Sequence, residues 1–401
     1  MQNIIIVADG HGDLAAGRMS CADYVRGRGR HLSAMTRILF EESVTRPARL
    51  RYDAAMIAIA RGHRSFPTVL DLVDGLAPQI QDCSHVARAQ DWERRPNREP
   101  LVGILHDPLD GLAPSTLASL EDMQQEFARH SIGTLICDPQ KHHGLDSMDA
   151  LFVRTHTSPG QTAWRWAMEA RHSDIPVIDD PDSIIRCCNK LFMMESFSRC
   201  GIPAPRSCFV TCEDDLEDVI RRLGLPLILK TPDSSFSKGV WKADSAEDAI
   251  RIFSAHEKIY PILLAQEFVP TSFDWRIGIL DGKPLFACRY FMADGHWQIF
   301  KTENDGGVLE GRGEAVAVRH APRDILTTAI RAADSMGRGL YGVDLKVVDG
   351  RPLVIEVNDN PTIESDLEAS IDPVWSVLAE YFLAKINGHR RPALSDVRAS
   401  A

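Results

Sequence analysis

The chain has 401 residues, of which 44% are hydrophobic and 25% are charged, a balance typical of globular proteins and unlike that of disordered chains. At this length we expect large buried cores and two or three domains. The formal net charge of −11 argues against general binding to nucleic acid or to a membrane surface, although a local basic groove could still bind phosphates. No apolar run approaches the ~18 residues needed to cross a bilayer.

The N-terminal segment and the cysteines favour a cytoplasmic protein with reduced thiols. Residues 1–7 lack the basic region of a signal peptide, and their apolar run has the length of a strand. The nine cysteines are an odd number without a CxxC pair, so we do not expect a disulfide framework. The vicinal pair Cys187 and Cys188 is interpreted as two structural thiols.

Short apolar runs alternate with helical periodicity in the first part of the chain. The runs at 4–8, 54–60, 101–106, 134–137 and 151–154 predict buried strands. Ser115 is the predicted N-cap of a helix that follows the third of these runs. This alternation predicts an α/β layer with a mainly parallel sheet.

The rest of the chain becomes richer in strands after residue 190. A helix that carries Lys190 should end at the Gly- and Pro-rich segment 201–205. Strands are predicted at 227–231, 240–243, 262–268, 275–280, 284–291 and 297–300, followed by a helix at 321–336 and a hairpin at 341–358. We expect the main boundary of the chain near 180–190.

The hairpin carries three oxygen donors of the kind that Mg²⁺ prefers, Asp344, Glu356 and Asn358. Glu356 and Asn358 share a face because side chains alternate along a strand. A two-residue turn would pair Asp344 with Ile355 and leave Glu356 on the other face, whereas an odd-length loop would bring all three together. A hairpin whose polar residues face water remains the plain alternative.

Lysines and a polar loop could bind phosphate oxygens. Lys230 ends the apolar strand 227–230, and the loop 233–239 behind it offers backbone N–H groups, hydroxyls and a further lysine, with Ser235, Lys238 and Gly239 as candidate ligands. Neither a Walker A motif nor a GxGxxG motif occurs, so neither of those nucleotide folds is supported.

The next strands add candidates for the rest of a nucleotide. Residues 264–269 could form a linker strand whose backbone hydrogen-bonds an adenine edge, and the carboxylate of Asp274 could accept ribose hydroxyls. Arg276 and Arg289 fall on adjacent predicted strands, where guanidinium groups could hold a phosphate or carboxylate. The linker candidates are Gln266, Glu267, Phe268 and Val269.

This order of elements resembles the RimK-like carboxylate–amine ligases of the ATP-grasp superfamily, over residues 185–385. The resemblance rests on Lys190, Lys230, Gly239, Gln266, Glu267, Phe268, Asp274, Arg276, Asp344, Glu356 and Asn358. It implies an α/β fold, α+β in the C-terminal half, in which an N-terminal α/β domain precedes a two-lobed ATP-grasp fold. Residues 1–150 resemble the RimK-like ATP-grasp N-terminal domain. A connecting segment at 151–186 would lead to the ATP-grasp domain at 187–390, followed by a disordered tail at 391–401.

The resemblance implies a cytoplasmic, ATP-dependent ligase that forms a carbon–nitrogen bond through an acylphosphate. Its substrates would be a carboxylate and an amine, and the enzyme would join an amino acid to an amino acid, a peptide or a protein terminus. Neither nucleic acid nor a membrane is expected as a partner, and the protein could form a homo-oligomer. Two Mg²⁺ ions, replaceable by Mn²⁺, would bind Asp344, Glu356 and Asn358. Lys190 and Lys230 would neutralise α- and β-phosphates, and Arg289, with Arg276, would stabilise the transferring phosphoryl group.

Two departures from the family pattern leave the phosphate contacts of the loop and the identity of the substrates open. The loop after Lys230 has serines and a lysine where many relatives are richer in glycine, and residues 363–368 do not closely resemble a known glutamate-recognition pattern. The alternatives are a nucleotide-binding regulatory protein without turnover and an ATP-dependent small-molecule phosphotransferase. In the N-terminal part, the loop 9–13 is interpreted as a glycine-dependent turn and His142-His143 as exposed loop histidines.

Overall fold

The computed structural model describes residues 3–7, 18–28, 32–33, 36–40, 48–66, 68–73, 99–111, 113–142, 144–145, 148–233, 239–302 and 308–390. Four of the sequence predictions concern residues outside these ranges. They are the loop 9–13, His143, the loop residues Ser235 and Lys238, and the tail 391–401.

The first sheet is parallel and has the strand order β2-β1-β3-β4. Its strands are β1 (Asn3–Val7), β2 (Arg18–Ser20), β3 (Arg37–Phe40) and β4 (Arg64–Phe66). The accompanying helices are α1 (Cys21–Asp23), which continues as a helical turn at Tyr24–Arg28, α2 (Ala48–Ala60) and α3 (Val69–Val73).

The predicted strand at 54–60 is wrong, because these residues form the second half of α2. Ala54, Ala55, Met56 and Ile57 are at most 1% exposed, so the helix is buried on more than one side. Residues 54–60 are apolar throughout and therefore lack the periodicity that would separate a buried helix from a buried strand. The alanines and the methionine favour the helix by intrinsic propensity.

The second sheet is also parallel, with the order β6-β5-β7-β8. Its strands are β5 (Leu101–Leu105), β6 (Gly133–Cys137), β7 (Ala150–Val153) and β8 (Val177–Ile178), with helices α4 (Leu117–Arg129) and α5 (Thr162–His172). Because β7 pairs with β5, the expected boundary at residue 150 cuts through one sheet. The unit that contains β5 extends to β8.

The N-cap of α4 is Thr116 and not Ser115. The Thr116 hydroxyl accepts a hydrogen bond from the Ser119 N–H at 3.3 Å. The Ser115 hydroxyl instead donates to the Ile363 carbonyl at 2.6 Å and accepts from Arg154. Both residues suit an N-cap by type, so the choice depended on a distant contact.

Two helices connect the second sheet to the C-terminal half, α6 (Pro181–Cys187) and α7 (Lys190–Cys200). Asn189 caps α7 by accepting a hydrogen bond from the Phe192 N–H at 2.9 Å. Gly201, at φ 60°, ends α7 in the left-handed conformation that glycine favours, as the breaker at 201–205 predicted.

The third sheet is antiparallel, with the order β11-β10-β12-β9. Its strands are β9 (Ser207–Val210), β10 (Leu227–Lys230), β11 (Val240–Ala243) and β12 (Leu263–Glu267). Helices α8 (Asp215–Leu223) and α9 (Ala246–His256) cover one face of it.

The fourth sheet is antiparallel, with the order β17-β14-β13-β18-β19. Its strands are β13 (Phe273–Leu280), β14 (Lys283–Phe291), β17 (Gly313–Val316), β18 (Leu340–Val348) and β19 (Arg351–Asp359). A ribbon of β15 (Phe300–Thr302) and β16 (Val308–Glu310) precedes β17, and the helices are α10 (Arg323–Met336) and α11 (Val374–Arg390). None of the helices in the described ranges is long and apolar enough to cross a membrane.

The strand predicted at 297–300 begins only at Phe300. Trp297 packs edge-to-face on Phe268, with ring centroids 5.9 Å apart. The aromatic and β-branched residues of this run favour a strand, but ladder pairing with β16 starts at Phe300.

Candidate functional site

The hairpin of β18 and β19 brings the three predicted oxygen donors together by a route that the sequence analysis did not foresee. Asp349 and Gly350, at φ 50° and 74°, form a two-residue turn of the kind that suits β-hairpins. That turn alone would pair Asp344 with Ile355. A one-residue shift places Leu345 opposite Val354 and Asp344 opposite Glu356. Ile355 is the extra residue of this bulge.

Asp344 lies at the centre of the resulting cluster. Arg276, opposite it on β13, donates from Nε and Nη2 to the two carboxylate oxygens of Asp344, both at 2.7 Å. The Asn358 amide donates to Asp344 Oδ2 at 3.1 Å. Burial raises the pKa of Asp344, and Arg276 partly opposes that rise. The cluster is therefore a buried, hydrogen-bonded set of charges.

Lysines face the carboxylates across a cleft between the third and fourth sheets. Lys190, the first residue of α7, and Lys230, the last of β10, are each 7% exposed. Burial alone would raise the pKa of Glu356, but Lys190, Lys230 and Arg276 together lower it below its usual value. Burial lowers the pKa of Lys230 to about 8, and its ammonium donates to Gln266 Oε1 at 2.8 Å.

Lys346 is a third cleft lysine, which the sequence analysis missed. Its ammonium donates to the Asp274 carboxylate and to the Thr271 hydroxyl, each at 2.7 Å. The sequence did contain a sign of this lysine's position. Residues two apart on a strand share a face, so Lys346 is expected on the same face of β18 as Asp344.

The predicted linker lines the same cleft. Gln266, Glu267, Phe268 and Val269 are among its lining residues, and so are Asp274 and Arg276. The Glu267 carboxylate accepts from the backbone N–H and from Nε of Arg206, at 2.8 and 2.6 Å. The Glu267 carboxylate is therefore held by Arg206, directly before the first strand of the third sheet.

Arg289 does not face the cleft, so its predicted contact with the transferring phosphoryl group has no support in the structure. Arg276 lies opposite Cys288, and Arg289 lies opposite Trp275 on the other face of the sheet. There the Arg289 guanidinium pairs with Glu314 at 3.0 Å and covers the Trp275 ring at 5.6 Å. The prediction that Arg276 and Arg289 lie on adjacent strands is confirmed, but their side chains are on opposite faces of the sheet.

A second bulge causes this difference. Leu280 pairs with Lys283 and Ile279 with Pro284, which would place Arg289 on the Arg276 face, but between Ile279 and Gly278 the register shifts by one. The Phe286 ring lies over Gly278, where an added Cβ would come within 2.3 Å of it. A glycine inside a strand is a recognised sign of such a bulge or close approach.

The loop 233–239, which was predicted to bind phosphate and is called the phosphate loop below, is described only at its two ends. Asp233 begins it, and Gly239 ends it at φ 67°, a conformation that glycine adopts without strain. The Thr231 N–H donates to the Gly239 carbonyl at 2.9 Å and closes the base of the loop. The loop therefore leaves and rejoins the third sheet beside Lys230.

The cleft is also lined by residues that the sequence analysis did not assign to a nucleotide. Thr157, Cys188, Asp359 and Thr362 lie there. Cys187 and Cys188 are free thiols, and burial raises the pKa of both, which agrees with two unreactive structural thiols.

The donor set suits a magnesium–phosphate complex. Two carboxylates and one amide offer oxygen ligands. Asp344 Oδ2 accepts from both Arg276 and Asn358, whereas Oδ1 accepts from Arg276 and keeps a further lone pair for a cation. Among the described residues, no group of three or more His, Cys, Asp and Glu side chains could hold a metal ion. Mg²⁺ commonly takes one or two carboxylates and completes its shell with water and substrate phosphates.

Comparisons with known proteins find relatives for the part of the chain that contains the cleft. Residues 187–375 match a family model described as RimK-like ATP-grasp domain. A probable alpha-L-glutamate ligase of Legionella pneumophila (strain Corby) is 31% identical over 211 residues, which make up 52% of this chain and 67% of that protein.

Two solved structures show the same fold at low identity. A RimK domain protein ATP-grasp from Sphaerobacter thermophilus DSM 20745 has a TM-score of 0.54 and 15% identity, over 70% of this chain and 98% of that chain. A D-alanine–D-alanine ligase from Bacillus anthracis has a TM-score of 0.51 and 14% identity, over 72% of this chain and 98% of that one.

Proposed function

The chain belongs to the RimK-like ATP-grasp family, ATP-dependent ligases that form carbon–nitrogen bonds, and we propose that it works by activating a substrate carboxylate as an acylphosphate. The proposal rests on one observation: buried lysines and oxygen donors lie on opposite sides of one cleft. Lys190 and Lys230 come from one side, and Asp344, Glu356 and Asn358 come from the other.

The charges of the cleft suit a triphosphate beside a carboxylate. Asp344, Glu356 and Asn358 would hold two divalent cations, Mg²⁺ or Mn²⁺, which when bound offset the repulsion between phosphate and carboxylate oxygens. Lys190, Lys230 and Lys346 supply positive charge from protein side chains. Of the two predicted catalytic arginines, Arg276 alone lines the cleft, and we assign it to the transferring phosphoryl group.

The reaction needs positioning more than a nucleophilic side chain. A substrate carboxylate oxygen attacks the γ-phosphorus of ATP, and ADP leaves. The amine nitrogen then attacks the acyl carbon, and phosphate leaves as the amide forms. The linker 266–269 would bind the adenine edge and Asp274 the ribose hydroxyls, with Ser235, Lys238 and Gly239 at the phosphates.

The names of the relatives support an amino-acid substrate. We propose an amino acid as one substrate and an amino acid, a peptide or a protein terminus as the other, in the cytoplasm, and glutamate is the first acid to test because relatives bear that name. Glu364 and Glu368 are taken up by structural contacts, since Glu364 accepts from the Thr116 and Ser119 hydroxyls and Glu368 from the Tyr290 hydroxyl. The oligomeric state remains a prediction.

A substrate panel tests the proposal. The full chain is incubated with MgATP and pairs of amino acids or short peptides, and ADP, phosphate and the coupled product are measured. The proposal expects ADP and phosphate in equal amounts only when both an acid and an amine are present. ADP with a stable phosphorylated acid or alcohol would indicate the phosphotransferase, and nucleotide binding without turnover for any pair would indicate the regulatory protein.

A further inference from the structure

Helix α2 of the N-terminal part packs along α7, whose first residue is Lys190. Asp53 of α2 accepts a hydrogen bond from the Asn189 amide at 3.0 Å, and both residues are fully buried. Asn189 in turn caps α7. The first turn of the helix that presents Lys190 is therefore fixed by a carboxylate from the N-terminal part.

Arg49, one turn before Asp53, extends this contact to the phosphate loop. Its Nε donates to Asp53 Oδ2 at 2.9 Å, and its Nη1 donates to the carboxylate of Asp233, the first residue of the loop. The Arg49 side chain is only 12% exposed, and its guanidinium covers the Tyr260 ring at 5.4 Å. Its planar fork thus joins two carboxylates from different parts of the chain.

The two tethered segments are also joined to each other. The Lys190 N–H donates to the Pro232 carbonyl at 2.7 Å, directly before Asp233. Lys230 precedes the same segment by two residues. One network of hydrogen bonds therefore connects α2 with Lys190 and with the start of the loop, just after Lys230.

We propose that Arg49 is a positioning residue for nucleotide binding, through which the N-terminal part holds Asp233, where the loop 233–239 begins, and the start of α7 in place. The inference rests on the proposed function, which assigns Lys190, Lys230 and the loop to the phosphates. Arg49 does not line the cleft, so its effect would come from preorganisation of the groups that do.

A purely structural role is the competing interpretation, and α2 offers a matched control. Arg61, directly after α2, donates from Nε to the Glu195 carboxylate of α7 at 2.9 Å, and the two side chains are 3% and 4% exposed. This pair joins the same two parts of the chain at the far end of the contact. Neither Arg61 nor Glu195 lines the cleft.

The test compares Arg49→Met with Arg61→Met in the full chain. Calorimetry with MgADP gives the dissociation constant, steady-state kinetics give KM for ATP and kcat, and thermal unfolding gives stability. We expect Arg49→Met to raise the MgADP dissociation constant and KM roughly tenfold, with kcat changed by less than about twofold. Arg61→Met should lower the unfolding temperature and leave the dissociation constant unchanged.

A second variant keeps the inference testable if Arg49→Met unfolds. Asp233→Asn breaks the same contact from the more exposed partner, whose side chain is 36% exposed. In that background the conservative Arg49→Lys should change MgADP binding no further, because the contact is already lost. Wild-type affinity in Arg49→Met, or equal affinity losses in Arg49→Met and Arg61→Met, would overturn the inference. Failure of the wild type to bind MgADP would instead overturn the proposed function.

Discussion

At the residue scale, burial and charge pairing act against each other in the cleft. Burial raises the pKa of Asp344 and lowers that of Lys230, whereas the lysines lower the pKa of Glu356. The Lys230 ammonium donates to Gln266, and the Lys190 backbone N–H donates to the Pro232 carbonyl, so both lysines are anchored near Glu356 before any phosphate arrives. Such preorganised charge is what a phosphoryl-transfer site requires.

Replacing Glu356 by Gln tests the metal site with the least damage to the fold. Asp344→Asn would also break the ion pair with Arg276 and leave a buried guanidinium unpaired, at a cost of about 3–5 kcal/mol. Glu356→Gln keeps the shape and removes one negative charge facing the cation. We expect kcat to fall by about a hundredfold or more, with an unfolding temperature close to that of the wild type. Near-normal turnover in this variant would show that Glu356 is not a metal ligand.

The pKa of Lys230 predicts a pH dependence for nucleotide binding. Because this pKa is lowered to about 8, the free cleft loses the positive charge of Lys230 as the pH rises through that value. A bound phosphate retains the proton, so affinity should fall roughly tenfold per pH unit above 8 and be nearly constant just below it. Calorimetry with MgADP from about pH 7 to 9.5 measures this slope.

Lys230→Met is the control for that experiment. The variant should bind MgADP more weakly at neutral pH, since it lacks a positive charge in a partly desolvated phosphate site. It should also lose the decline above pH 8. A decline that persists in Lys230→Met would assign the titration to another group.

At the element scale, two bulges decide which side chains enter the cleft. The strand positions and the donor types of the hairpin were predictable from alternation and composition, because these are local properties. Two features were not predictable, because each depends on one extra residue in a strand. Ile355 causes the pairing of Asp344 with Glu356, and Leu285 turns Arg289 away from the cleft. A one-residue shift moves every later side chain to the other face. Only Gly278, under the Phe286 ring, gave a local sign of a bulge.

The bulge in β14 leads to a paired prediction for the two arginines. Arg276→Lys keeps a positive charge but loses the fork that binds both oxygens of Asp344, so kcat should fall at least about tenfold. Arg289→Lys lies on the opposite face and should change kcat and KM for ATP by less than about twofold. Steady-state kinetics of the two variants decide. A large kcat loss in Arg289→Lys would mean that the β14 register differs from the one described here.

At the scale of the whole molecule, the N-terminal part shares its cores with the C-terminal half. One core combines Tyr24 and Ile57 with Phe197 and Ile277, and therefore spans the expected boundary near 180–190. Sequence patterns show which residues are apolar, but not which distant segment will cover them. The fold class was predictable, whereas the sharing of cores was not.

A second connection runs through Arg154 of the loop after β7. This fully buried arginine donates to the Asn360 side chain at 2.9 Å and to the Pro361 carbonyl at 3.0 Å, two and three residues after the metal-ligand candidate Asn358. It also donates to the Pro114 carbonyl at 2.7 Å. The end of β19 is thus held by backbone and side-chain contacts from the second sheet.

These shared cores predict that residues 187–390 will not fold alone. Phe127 and Phe152 of the second sheet's unit pack on Phe382 of α11, with ring centroids 6.0 and 5.5 Å apart, and α2 covers α7. Without residues 1–186 these apolar faces would be exposed to water, at roughly 25 cal/mol for each Å² of apolar surface. We expect the full chain to unfold in one cooperative thermal transition and the fragment 187–390 to show none in near-ultraviolet circular dichroism. An independently folded ATP-grasp domain would instead give the fragment a cooperative transition of its own and nucleotide binding at the full-chain affinity.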